Sequence, residues 1–97
     1  MASLHYPFNV YFKSEQYDKA LEMSKIIYNE YIKAFGEDHP FSIAVLRNEA
    51  VCYLYLKQNI KAAELLNSVY NNALKIFGEK DQFTIETKEL IDQCLIQ

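Results

Sequence analysis

The chain has few residues that interrupt regular structure. Its 97 residues include only two glycines and two prolines, and no tryptophan. Glycine and proline are the strongest local breakers of helices and strands, so their scarcity favours long elements and excludes a loop-rich or collagen-like chain. The length suits one domain, which we place at residues 1–97.

Excess basic charge and long apolar runs are also lacking. Lys and Arg number 10 against 13 Asp and Glu, which leaves a net charge of −3 and no cluster of cations for nucleic-acid phosphates. The longest apolar run, 50–56, is too short to span a bilayer, and residues 1–10 lack the basic start and apolar centre of a signal peptide. We therefore expect a soluble, cytoplasmic protein without membrane insertion.

Residues that would carry catalysis or bind metal are scarce as well. Two cysteines, Cys52 and Cys94, make no disulfide framework, and we interpret both as small buried apolar residues. The acid-acid-histidine run at 37–39 is more typical of a helix cap than of a metal site. The sequence contains no recognisable nucleophile motif and no glycine-rich phosphate loop. We expect no enzymatic activity, no cofactor and no metal.

What the chain does have is an internal repeat. The segment 35–43 aligns with 77–85 at an offset of 42 residues, and both segments begin with Phe-Gly-Glu. At the same offset, Lys-Ala-Leu-Glu at 19–22 aligns with Lys-Ala-Ala-Glu at 61–64. Fixed periods of roughly 20 to 50 residues mark repeat proteins, in which each unit covers its apolar face by stacking on the next.

The pattern within each unit predicts two helices. Apolar residues recur every three or four positions, as on one face of a helix. Gly36 and Gly78 should end helices in a left-handed conformation, Pro40 should begin one, and Asp81 should cap the last. Pro7 should shorten the first helix. We predict helices at 7–13, 16–35, 40–56, 59–77 and 82–96, and no strands.

These elements predict an all-α fold, in which antiparallel helical hairpins stack as a short α-solenoid. The first repeat would span 7–35 with a short first helix, the second 40–77, and a C-terminal capping helix 82–96. Helix 40–56 is apolar almost all the way round, so it should be sandwiched between neighbours. The last helix has one apolar stripe and one polar face, as expected where a stack ends.

The repeated residues resemble the tetratricopeptide repeat (TPR) family, in the 42-residue form seen in kinesin light chains. Ala20 and Ala62 would mark a close approach of paired helices. The family's glycine inside each hairpin turn is replaced by Glu15 and Lys57, and we expect these turns to differ in shape, because a left-handed non-glycine residue costs about 1 to 2 kcal/mol. The similar positions are His39, Pro40, Leu46, Asn48, Ala50, Tyr53, Ala62, Glu64, Leu65 and Gly78.

The resemblance implies a non-enzymatic interaction module, an adaptor or scaffold that binds a peptide or helix of a partner protein in its concave groove. Asn48 would hold the peptide backbone; alternatively, it makes a hydrogen bond within the fold. Lys13 and Arg47 would make one end of the groove basic, and Glu86 and Glu89 would make the other acidic, unless these are ordinary solvated charges. The candidate binding residues are Asn48, Arg47, Val51, Tyr55, Asn9, Lys13, Glu86 and Gln93.

Two other functions remain open at this stage. The stack could be a structural subunit that packs against a larger protein without a free groove. It could also form a homodimer through its N-terminal face, because apolar residues surround much of helix 16–35 while only a short helix precedes it. RNA binding, as in pentatricopeptide repeats, is disfavoured by the acidic balance.

Overall fold

The computed structural model describes residues 2–96, with side chains from residue 8 onward. No strand occurs within residues 2–96, so the predicted all-α class is confirmed. Helices α2 to α5 begin and end within one residue of the predicted limits. The chain forms five helices: α1 (Ala2–Lys13), α2 (Tyr17–Phe35), α3 (Pro40–Tyr55), α4 (Asn59–Ile76) and α5 (Gln82–Ile96).

Helix α1 begins at Ala2, and not near residue 7 as predicted. Pro7 is therefore inside the helix rather than at its start. A proline at this place lacks one amide hydrogen, and its missing partner is the carbonyl four residues earlier, in the first turn. The helix continues on both sides of this single interruption, so the proline does not set its N-terminal limit.

Consecutive helices pack against each other along the chain, and α3 lies between α2 and α4. The core accordingly divides into two clusters that share α3. The prediction that the most apolar helix is sandwiched is therefore confirmed. The first cluster contains Phe8, Ala20, Ile27, Tyr31, Val45 and Cys52, and the second contains Ala50, Tyr53, Leu54, Ala62, Leu66 and Cys94.

Two small residues at equivalent repeat positions lie in the core. Ala20 and Ala62 are both 0% exposed, and each belongs to one of the two core clusters. Complete burial leaves no solvent-exposed space for a larger side chain at either position. Cys52 and Cys94 are both buried and unpaired, which agrees with their interpretation as small apolar residues.

The two turns inside the hairpins are alike and left-handed. Glu15 has φ 62° and Lys57 has φ 65°. After α1, the Gln16 amide donates to the Tyr11 carbonyl at 2.8 Å and the Glu15 amide donates to the Phe12 carbonyl at 3.1 Å. This is the paired hydrogen bonding of a Schellman helix end. The expectation that loss of glycine changes the turn is wrong, because these bonds hold the left-handed backbone despite the side chain.

The junctions after α2 and α4 contain the predicted side-chain caps. Gly36 and Gly78 have positive φ angles of 89° and 92°, as predicted, but ψ is 170° at Gly36, so that residue is not in the predicted left-handed helical conformation. The Phe41 amide donates to Nδ1 of His39 at 3.1 Å, and the amide of Phe83 donates to the Asp81 carboxylate at 2.9 Å. His39 and Asp81 occupy equivalent positions, so the acid-acid-histidine run is a helix cap, as predicted.

The buried face of α5 differs from the predicted apolar stripe, which comprised Phe83, Leu90, Ile91, Cys94 and Leu95. Thr84, Thr87 and Cys94 are buried against the stack, whereas Leu95 is 78% exposed. Tyr53 is the equivalent residue of α3 and is buried in the cluster that includes α4. Within residues 2–96 no further helix follows α5, so no helix covers Leu95 in the same way.

Candidate functional site

A cleft of about 230 Å³ lies between the C-terminal halves of α3 and α5. Val51 and Tyr55 of α3 and Gln93 of α5, three of the predicted binding residues, line this cleft. Val51 and Gln93 are equivalent residues of successive repeats, so the repeat itself brings them to one surface. The remaining lining residues are Leu54, Lys57 and Leu90.

Aromatic side chains hold Tyr55 at the edge of the cleft. The Tyr55 ring stacks on Tyr17, with centroids 4.6 Å apart and planes 13° from parallel. It also meets the edge of Phe12 at 5.3 Å. Phe12 comes from α1 and Tyr17 from the start of α2, so residues of two other helices hold this ring of α3 in place. Tyr55 nevertheless stays 54% exposed, which leaves part of its ring available to a ligand.

Arg47 lies one helical turn before Val51 on α3, but its guanidinium is directed to α5. The guanidinium carbon lies 3.9 Å from the centre of the Phe83 ring. Nη1 donates to the Phe83 carbonyl and to the Thr87 hydroxyl, each at 3.3 Å. Burial lowers the pKa of Arg47, and the nearby Glu86 carboxylate opposes that shift.

The predicted separation of basic and acidic residues along the groove is wrong for Arg47 and Glu86. Nη2 of Arg47 lies 3.5 Å from Oε1 of Glu86, so these two charges are in contact and do not lie at opposite ends. Glu86 also accepts a hydrogen bond from the Gln82 amide at 3.2 Å. Sequence spacing could not predict this contact, because it depends on how closely α5 approaches α3.

The other predicted residues occupy more open positions. Asn48 is partly buried on α3. Among residues 8–96, whose side chains are described, none forms a hydrogen bond with its side-chain amide. The alternative prediction, a hydrogen bond from Asn48 within the fold, therefore has no partner among these residues. Asn9 and Lys13 are exposed on α1 and are not among the lining residues of the cleft.

Sequence reasoning missed three residues of the cleft. The sequence places Leu54 in the apolar helix 40–56, Leu90 in the apolar stripe of the last helix and Lys57 in a turn, and none of the three was a predicted binding residue. Lys57 reaches the cleft because the left-handed turn directly follows α3. Repeat alignment offers one signal, since Leu90 is equivalent to Asn48, which was already a predicted site residue.

The described residues contain neither a metal site nor a membrane-spanning helix. Within the described residues, no three His, Cys, Asp or Glu side chains come together as a possible metal site. None of the helices described has both the length and the apolar character needed to cross a membrane.

The comparison with protein families gives one match. The sequence profile described as tetratricopeptide repeat matches residues 9–75, from the middle of α1 to the end of α4. Neither the search of curated proteins nor that of solved structures gave a match. The profile covers well over half of the chain, and the stacked helical hairpins agree with it. The chain therefore belongs to the tetratricopeptide repeat family.

Proposed function

We propose that the chain is a non-enzymatic adaptor or scaffold module that binds a peptide or helix of a partner protein. The family supports the general role, since tetratricopeptide repeats are protein-interaction modules. The cleft between α3 and α5 carries the more specific proposal, because it brings Val51, Tyr55 and Gln93 to one concave place.

The cleft chemistry suits one large apolar side chain with a carboxylate beside it. Val51, Leu54 and Leu90 supply apolar walls, and Tyr55 supplies the face of a ring. Lys57 is the one charged residue that lines this cleft. A bound segment would bury its apolar side chain among the walls and place an acidic group near the ammonium of Lys57.

Asn48 supports the same binding mode from the adjacent turn of α3. It precedes Val51 by three residues, so both side chains lie on one side of the helix. Its amide carries both a donor and an acceptor, which suits the backbone of an extended peptide. Asn48→Ala should weaken peptide binding and leave the melting temperature nearly unchanged.

A selection from displayed random peptides on the purified chain tests the proposal. Selected peptides should share a large apolar residue next to Asp or Glu. Gln93→Arg should then weaken binding about tenfold, because a bulky side chain at the cleft edge obstructs it. Asn67→Arg is the matched control, since Asn67 is an exposed amide on α4 away from the cleft. Equal effects of the two variants would contradict the proposal.

A structural or self-associating role is the second candidate. It is supported by Leu95 and Ile96 at the end of α5, which are 78% and 83% exposed. The N-terminal dimer has less support, because the large apolar residues that α2 leaves exposed are Ile26 and Phe35, at 56% and 39%. Light scattering at several concentrations would detect a dimer, and Leu95→Lys would identify the face that it uses.

A further inference from the structure

We infer that Arg47 is a positioning residue that sets how α5 lies against α3 and so determines the shape of the cleft. This inference rests on the proposed function of the cleft and deepens it. It replaces the sequence-based hypothesis that Arg47 itself binds the ligand. Arg47 would act on binding only through the positions of Leu90 and Gln93.

The contacts of Arg47 leave little of its guanidinium for a ligand. Its central carbon lies over the Phe83 ring, Nη1 donates to two oxygens of α5, and Nη2 pairs with Glu86. The side chain is only 21% exposed. A flat guanidinium matches this combination of a ring and several acceptors better than a point charge does.

The contacts of Arg47 lie next to the cleft on both helices. Phe83, Glu86 and Thr87 belong to the first half of α5, and Leu90 follows Thr87 by three residues. On α3, Val51 follows Arg47 by one turn and Tyr55 by two. The arginine thus ties the two helices together one turn before the cleft begins on each of them.

The other contacts between these two helices include Cys94, in the second half of α5, which shares a core cluster with residues of α3. Helix α5 packs mainly on α4, and its contact with α3 is much less extensive. The Thr87 hydroxyl also donates to the Phe83 carbonyl at 2.8 Å, so the arginine meets an acceptor group already ordered within α5. Loss of Arg47 should therefore let the start of α5 move while α4 still holds the helix in the stack.

The test compares Arg47→Met and Arg47→Lys with the wild-type chain by methyl NMR and amide hydrogen exchange, without ligand. The Val51, Leu54 and Leu90 methyl signals should shift in both variants, and α5 amides should exchange about tenfold faster. The methionine variant keeps an unbranched apolar chain, and the lysine variant keeps the charge. Lys88→Met is the matched control, because Lys88 also lies over a ring, Tyr70 at 5.9 Å, but outside this cleft.

A titration with free indole then probes the cleft directly. The wild-type chain should show saturable shifts of the cleft methyls, and the Arg47 variants should bind about fivefold more weakly. Weaker binding with unchanged ligand-free methyl signals would overturn the inference, since Arg47 would then contact the ligand. Unchanged methyl signals and exchange in both variants would also overturn it. Absence of indole binding to the wild-type chain would count against the proposed cleft function, whereas the ligand-free measurements would still decide the role of Arg47.

Discussion

Lys57 has the same left-handed backbone conformation as Glu15 at the equivalent turn of the preceding hairpin. Their φ angles are 65° and 62°, and each turn carries the same pair of backbone hydrogen bonds. Side chains with a Cβ are strained in this region, whereas glycine is not. The chain therefore stores strain at two corresponding places without any change of fold.

Glycine at either turn should stabilise the protein. Glu15→Gly and Lys57→Gly should each raise the free energy of unfolding by about 1 kcal/mol, because glycine relieves the left-handed strain. Urea denaturation measures the change. Lys13→Gly is the control, since Lys13 lies in the last turn of α1 and glycine there should destabilise by about 1 kcal/mol. A loss of stability in the Glu15→Gly variant would show that the turn depends on the glutamate side chain.

Larger side chains at the two equivalent alanines should overpack the hairpins. Ala20→Leu and Ala62→Leu should each lower the free energy of unfolding by roughly 1 to 3 kcal/mol, because both sites are 0% exposed. Thermal and urea denaturation provide the readout. Ala34→Leu on the exposed side of α2 should have little effect. If Ala62→Leu left the free energy of unfolding unchanged, the pairing of α3 with α4 would be in doubt.

Glu49 should make stability fall as the pH rises. Burial raises the pKa of this carboxyl above its ordinary value of 4.5, while Lys25 lowers it. The raised pKa means that the folded state binds the proton more tightly than the unfolded chain does. The stability from that proton is complete below the ordinary pKa and is lost as the pH rises through the folded pKa.

Glu49→Gln should remove this pH dependence and stabilise the chain near neutral pH. Urea denaturation at several values between about pH 4 and about pH 8 would measure it. Glu64→Gln, at an exposed site on α4, is the control and should leave the curve unchanged. If the stability curves of the Glu49→Gln variant and the wild-type chain run parallel, the carboxyl titrates alike in the folded and unfolded states.

Cys52 should resist thiol reagents until the protein unfolds. Burial raises its pKa to about 12, with a further contribution from Glu49, and its side chain is 0% exposed. Both factors remove the reactive thiolate. Labelling of Cys94→Ser with a chromogenic disulfide reagent should therefore follow unfolding, and reaction at the same rate with and without denaturant would contradict it.

The success of the sequence prediction depended on local signals. The limits of α2 to α5, the cap at Asp81 and the burial of Ala62 all follow from residues close in sequence or repeated at a fixed offset. The start of α1 was predicted wrongly. Proline indicates a helix limit only where the residues before it are not themselves helical, and in α1 they are helical. Lys57 in the cleft was missed because its turn conformation was expected to differ.

The sequence by itself determined the all-helical repeat, its period and the helices that pair, because apolar spacing and helix ends are properties of short segments. Only the tertiary structure decided that Arg47 binds across to Phe83 and Glu86 while Val51 and Gln93 share a cleft. These residues lie on helices that are not consecutive, so their distances depend on the angle at which α5 rests on α4. No pattern along the chain encodes that angle, because it results from the packing of all the side chains between the helices.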